Sequence, residues 1–368
     1  MRARELAPMS RCGTQSWQRL RPKRSMGASG TGGMRVCALV AVAMCGSAAS
    51  AQRPAEFYQG KTLDLYVGYS AGAGYDLYAR LLARHLGKHI PGNPALVARN
   101  MDGAGSLRLA NWLYNVAPRD GTAIGMIGRG VAFDPMLARP GIQFEGTKFS
   151  WLGSITNEVS ACVTWHTSAV KTIEDAKKQE VIVGAVGAGA DDDEFPRIIN
   201  GLLGTKMRVI SGYPGGNEVI LAMQRGEVNG RCGWSWSSIK AIRPAWITDH
   251  TINLLGQIGL SKHPDLPDVP LIIDLAKTEE QRKVFTLIFS RQGLARPFLA
   301  PPGLPPERLA ALREAFMATM RDPEFLAQAR TAKMEVEPLS GADVERLVHR
   351  VYRDTSPAIA KLAASMLR

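Results

Sequence analysis

Between residues 61 and 69 apolar and polar side chains alternate (KTLDLYVGY), the period of a half-buried strand. Residues 70–74 are small, and from residue 75 to 86 apolar positions recur at helical spacing. The same sequence of strand, glycine-bearing loop and helix returns at 95–100, 102–105 and 106–116, and again at 181–185, 187–189 and 191–203. Repeated units of this kind predict an α/β architecture with parallel sheets. A Pro-Arg-Asp-Gly turn at 118–121 leads into a strand at 122–127, and Gly226-Glu-Val-Asn leads into another near 231–236. Pro301-Pro-Gly-Leu-Pro-Pro opens a charged helix at 307–320, and Asp322-Pro323 starts the next with proline in its first turn.

The remaining composition fits a globular chain of 368 residues, 45% hydrophobic, which is enough for two ordinary domains. The formal charge of +12 is uneven, because the first 51 residues carry eight basic side chains against Glu5 alone. What remains is nearly balanced and gives no case for nucleic acid or an anionic membrane surface as partner. Within that basic segment Arg35 precedes a short apolar run, 36–45, and Ala49-Ser50-Ala51 reads as a small-x-small cleavage site. Export to the periplasm with maturation after Ala51 is expected. Cys12, Cys37 and Cys45 would leave with the signal, so the mature chain keeps Cys162 and Cys232. Both stand in strand-like text, and either a disulfide in an oxidising compartment or two buried thiols fits.

Each glycine loop feeds a helix N-terminus, where free N–H groups and the positive end of the dipole can hold a carboxylate or phosphate. Glycine there permits close approach of backbone to ligand, although a tight βα turn without ligand uses the same residues. Gly68-Tyr69-Ser70-Ala71-Gly72 also matches the nucleophile elbow of serine hydrolases, with Asp322 and His349 following in suitable order. Against a secreted hydrolase, Ser70 comes so soon after the expected cleavage that the strands and oxyanion loop such an elbow needs have no room. No P-loop motif occurs and no cofactor is expected. His85 and His89 have metal spacing without the accompanying Glu and read as surface histidines, so no metal is expected. The run Asp191-Asp192-Asp193-Glu194 suits the helix dipole and could equally attract a cation. Trp234 alternates along a strand end, where it either offers a ligand an aromatic wall or packs the core.

Five segments in order, FYQGKTLDLYVGYSAGAGYDLYARLLARHLGKHIPG, RNMDGAGSLRLANWLYNVAPRDGTAIGMI, VIVGAVGAGADDDEFPRIINGLLGTKMRVISGYPGGNEVILAMQRGEVNGRC, HPDLPDVP and APPGLPPERLAALREAFMATMRDPEF, resemble the extracytoplasmic solute receptors of tripartite tricarboxylate transporters. The resemblance covers nearly all of residues 57–368. It implies a two-lobed Venus-flytrap fold like that of periplasmic binding proteins, with mixed, mostly parallel sheets flanked by helices. Residues 52–153 and about 291–368 would form one lobe and 154–290 the other, after an N-terminal extension and signal at 1–51. It further implies a non-enzymatic monomer that captures a small organic solute, carboxylate-containing in many members, and delivers it to membrane permease subunits.

The binding residues carried over are Ser70, Ala71, Gly72, Gly74 and Asp76 after the first strand, with Asp76 orienting its loop. Gly187, Gly189, Ala190 and Asp191 follow from the second-lobe loop. Gly103, Ala104, Gly105 and Ser106, with Tyr213, Pro214 and Gly215, would line the same cleft, and the alternation read above adds Trp234 as a candidate wall. Where the family continues with small hydroxyl residues, this chain has its acidic run. Negative charge there would oppose an anionic ligand if buried, and leaves amines, amino acids, neutral ligands or an anion with its cation open.

Overall fold

A computed structural model describes residues 53–367. The expected signal and its cleavage after Ala51 lie outside them. Among the described residues there are eleven strands: β1 (Thr62–Val67), β2 (Ala95–Asn100), β3 (Ala123–Met126), β4 (Ser150–Ser154), β5 (Ser160–Trp165), β6 (Val181–Ala185), β7 (Met207–Ser211), β8 (Gly230–Ser235), β9 (Ile252–Ile258), β10 (Pro297–Ala300) and β11 (Leu339–Ser340). They form two sheets, ordered β11-β4-β10-β3-β1-β2 and β7-β6-β8-β5-β9. Among the named strands, parallel pairing is confined to β2-β1-β3 and β7-β6-β8, and every other ladder is antiparallel. The sheets are therefore mixed, a parallel triad in each extended by antiparallel strands. No described helix is long and apolar enough to cross a membrane.

The alternation read at the start of the chain has its expected physical result. Along β1, Leu63, Leu65 and Val67 are buried while Thr62 is exposed. Helix Gly74–Leu86 turns Tyr78, Leu81 and Leu82 onto the sheet, and each such buried apolar side chain contributes about 1.5–3 kcal/mol. Helix Asp191–Leu203 stops at Gly204, whose φ of +72° reverses the chain as a left-handed cap. Helix Pro323–Thr331 is capped by Asp322, whose Oδ1 accepts from the Glu324 amide at 2.9 Å.

After β4 the chain leaves the first sheet, builds the second, and returns to place β10 between β3 and β4. Helix Gly341–Asp354 packs on β4, but the last helix, Pro357–Met366, packs on helices Asp191–Leu203 and Glu279–Phe289 of the second lobe. The C-terminal segment grouped with the first lobe in the sequence reading thus contacts both. Strands β5 and β8 bring Cys162 opposite Cys232 with Cα atoms 3.8 Å apart, and the sulfurs are joined.

Candidate functional site

Both parallel triads aim their carboxyl ends at the same place. From the first lobe come the loops after β1, β2 and β3; from the second come the loops after β6 and β7 and the end of β8. That is where open α/β sheets hold ligands, because helix N-termini and free backbone groups converge there. A cavity of about 50 Å³ lies between them, walled by Tyr69, Tyr75, Arg129, Arg231 and Trp234. The Tyr69 and Tyr75 rings lie 4.5 Å apart, and the Arg231 guanidinium sits 5.6 Å from the Trp234 ring.

Around this cavity the lobes touch. An added Cβ at Gly105, φ +61°, would stand 2.6 Å from the Ala188 carbonyl oxygen and 2.7 Å from the Ala190 nitrogen, so only glycine allows these backbones to meet. Ser70 Oγ donates to Glu218 Oε2 of the opposite lobe at 3.2 Å. Gly187 lies against the backbone of Ala104 and Gly105, and Gly189 against Asp134.

The candidate residues fall into distinct places. Gly74, Ala190, Asp191 and Trp234 line the cavity, Trp234 as an aromatic wall that is itself buried. Ser70, Gly105, Gly187 and Gly215 stand at lobe contacts beside it. Asp76 anchors its loop: it accepts from the Gly72 amide at 2.8 Å, from Arg80 Nε at 2.8 Å and from Asn100 Nδ2 at 2.8 Å. Burial pushes its pKa up, but these donors outweigh it and hold the carboxyl below the usual aspartate range. Ser106 is fully buried, and its Oγ accepts from the Gly128 amide at 3.0 Å. Gly103 lies beside Arg108, Tyr213 is half-buried, and Ala71, Gly72, Ala104 and Pro214 are exposed.

The acidic run is neither a bare negative patch nor a solvent face. Asp192, Asp193 and Glu194 are buried, and Asp191 is nearly so. Asp191 Oδ2 accepts from Arg129 Nε and Nη2 at 2.5 Å, with Arg291 Nη1 at 3.5 Å from its other oxygen. Asp192 pairs with Arg231 at 2.8 Å and accepts from the Val186 amide, Asp193 pairs with Arg197 at 3.1 Å, and Glu194 pairs with both Arg139 and Arg291. Arg139 also stands 3.2 Å from Asp134. Five guanidiniums thus face five acidic side chains, so the acidic run is matched by positive charge. Burial lowers the tendency of Arg129 to stay charged, but Asp191 more than restores it. Asp134 differs: burial and then Glu194 push its carboxyl well above the ordinary range, against the pull of Arg139 and Arg291.

The nucleophile elbow does not assemble. Ser70 bonds a carboxylate of the other lobe, Asp322 is held by Lys88 at 2.6 Å and His89 at 2.8 Å, and His349 is exposed on helix Gly341–Asp354. With neither His349 nor Asp322 brought to Ser70, the order of residue types that suggested a hydrolase does not become a triad. His85, expected at the surface, is buried and meets Phe325 edge-on at 5.8 Å.

With this geometry in view, comparison with known proteins gives a consistent outcome. No family model matches. A UPF0065 protein from the gbd 5' region of Cupriavidus necator is 25% identical over 302 residues, covering 79% of this chain and 84% of that one. The chain is thus similar to a UPF0065 protein over most of its length. The structure of the periplasmic binding protein BugD superposes with a TM-score of 0.66 at 21% identity, over 84% of this chain and 98% of that one. MatC from Rhodopseudomonas palustris, solved with bound malate, superposes with a TM-score of 0.64 at 15% identity, over 84% and 99%. The fold is that of the two-lobed periplasmic binding proteins, as the family resemblance implied.

The sequence reading missed the arginines. Arg129 sits in Gly128-Arg-Gly130 after β3, a signal of the same glycine-bearing kind as the loops that were read. Arg139 and Arg291 lie in segments without strand or α-helix periodicity, and nothing local marks them as partners of residues 191 and 194. Arg296, just before β10, was missed too. It is fully buried between the Tyr75 and Tyr78 rings, 4.8 Å from each, and donates to Ser237 and Ser238 at 3.0 Å and to Glu158 at 3.3 Å.

Proposed function

We propose that the chain is an exported, non-enzymatic receptor that takes a small carboxylate-containing solute between its lobes and presents it, as a monomer, to membrane permease subunits of the tripartite tricarboxylate type. The observation that carries this reading is the convergence of two parallel triads on one cavity, with loops from both lobes in contact around it. A ligand held there touches both lobes, so its binding energy favours the closed arrangement over an open one. The matched charges support a carboxylate ligand, since arginines pair the acidic run and leave it little net negative charge. The malate bound by MatC is in keeping with this class.

A thermal-shift panel on the chain from Gln52 onward, with mono- and dicarboxylates, amino acids and amines, tests the reading. A ligand at 100 times its Kd adds about 2.7 kcal/mol to stability, enough to raise the midpoint by a few degrees. The expected result is stabilisation by carboxylates. Stabilisation by amines alone, or none by any member in protein shown free of carried-over ligand, overturns it.

A further inference from the structure

Arg129 has more donors than the protein uses. Its side chain is 2% exposed and lines the cavity. Nε and Nη2 serve Asp191, and Nη2 also reaches Ser160 Oγ at 2.7 Å and Ser235 Oγ at 3.3 Å. Nη1 is buried without a partner. A guanidinium nitrogen left unbonded in the interior is costly, and on a side chain that lines a cavity it is open to an acceptor. The groups beside it agree: Tyr69 and Tyr75 supply apolar faces, and Trp234 closes the far wall.

Asp191 comes to the same guanidinium from the opposite lobe, at the start of the helix that follows β6. Resting on the receptor reading above, we propose that Arg129 is the specificity-determining anchor for the ligand's carboxylate, bound through Nη1, and that Asp191 is a tethered carboxylate that competes for the same positive charge. The protein thereby limits its own affinity for anions. A ligand carboxylate on Nη1 lies within a few ångströms of Asp191, and two like charges that close in a dry site oppose each other strongly. Asp191 also bridges the lobes, so removing its charge loosens that contact. Asn keeps an oxygen for Arg129 Nε, and Arg139 and Arg291 still tie Glu194, so relief of repulsion is the larger effect.

The test uses malate and its uncharged diamide as probes, with binding measured by calorimetry on wild type, Asp191→Asn and the double variant Asp191→Asn/Arg129→Gln. The double variant replaces the buried ion pair with a neutral one and so avoids an unpaired charge. Asp191→Asn is expected to bind malate about tenfold more tightly than wild type and the diamide unchanged, while the double variant loses malate binding. If Asp191→Asn binds malate no better, or if the double variant retains malate, the inference falls while the receptor reading stands. If wild type and Asp191→Asn bind neither malate nor any other carboxylate, the receptor reading falls and takes the inference with it.

Discussion

The helices after β1 and β6 both carry acids in their first turn, and they use them differently. In the first lobe Asp76 bonds the Gly72 amide of its own loop, with Arg80 and Asn100 beside it. In the second, Asp192 does the same with the Val186 amide and Arg231. There the likeness ends, because Asp191 and Glu194 reach past their own lobe to Arg129, Arg139 and Arg291. One helix start anchors a loop, whereas the other anchors a loop and joins the lobes. Charge alone does not tell these uses apart; what decides is whether the partner stands in the same lobe.

The largest expected effect follows from removing a partner. Arg291→Met leaves Asp191 and Glu194 short of a buried cation and should cost about 3–5 kcal/mol in urea unfolding at neutral pH. Arg80→Met, whose half-exposed side chain pairs with Asp76, should cost about 1 kcal/mol or less. Equal losses in the two variants would remove the distinction between local and inter-lobe anchoring.

A middle-sized effect tests the likeness. Asp76→Ala and Asp192→Ala each remove a charged acceptor from a loop amide and should each cost about 1.5–3 kcal/mol. Amide exchange should quicken at Gly72 in the first variant and at Val186 in the second. Exchange that responds in only one of the two lobes would show that the anchors are not equivalent.

The smallest effect is one of sign with pH. The Asp134 carboxyl is raised in the folded protein by burial first and Glu194 second, with Arg139 and Arg291 opposing. A raised folded pKa makes its contribution largest below the unfolded value and loses it as pH rises through the folded one. Wild type should therefore lose stability relative to Asp134→Asn as pH climbs from about 5 to about 8. A difference in melting midpoint that stays flat over that range would refute a neutral carboxyl at this position.

How much of this was legible in the sequence depended on the range of the interaction. Strands β1, β2 and β6 and the helices after β1 and β6 announce themselves, since alternation, small-residue loops and helical spacing are local signals. The antiparallel insertion of β10 between β3 and β4 did not, because a short, wholly buried strand carries no alternation. Of the site, the glycine loops were readable, for positive φ and close approach leave a residue type behind. The charge of the acidic run was readable and its environment was not. Arg129 stands 62 residues from Asp191 and Arg139 55 from Glu194, so their pairing exists only once both lobes are built.

The place of β10 has a consequence for how the chain comes together. Residues 160–258 hold every strand of the second sheet, so that sheet can complete itself from one continuous stretch. The first sheet cannot: β3 and β4 have no ladder to each other until residues 297–300 arrive between them. A chain growing from its N-terminus therefore finishes its second sheet before its first, and a truncation between β9 and β10 leaves β3 and β4 with exposed edges where the finished protein has an unbroken sheet.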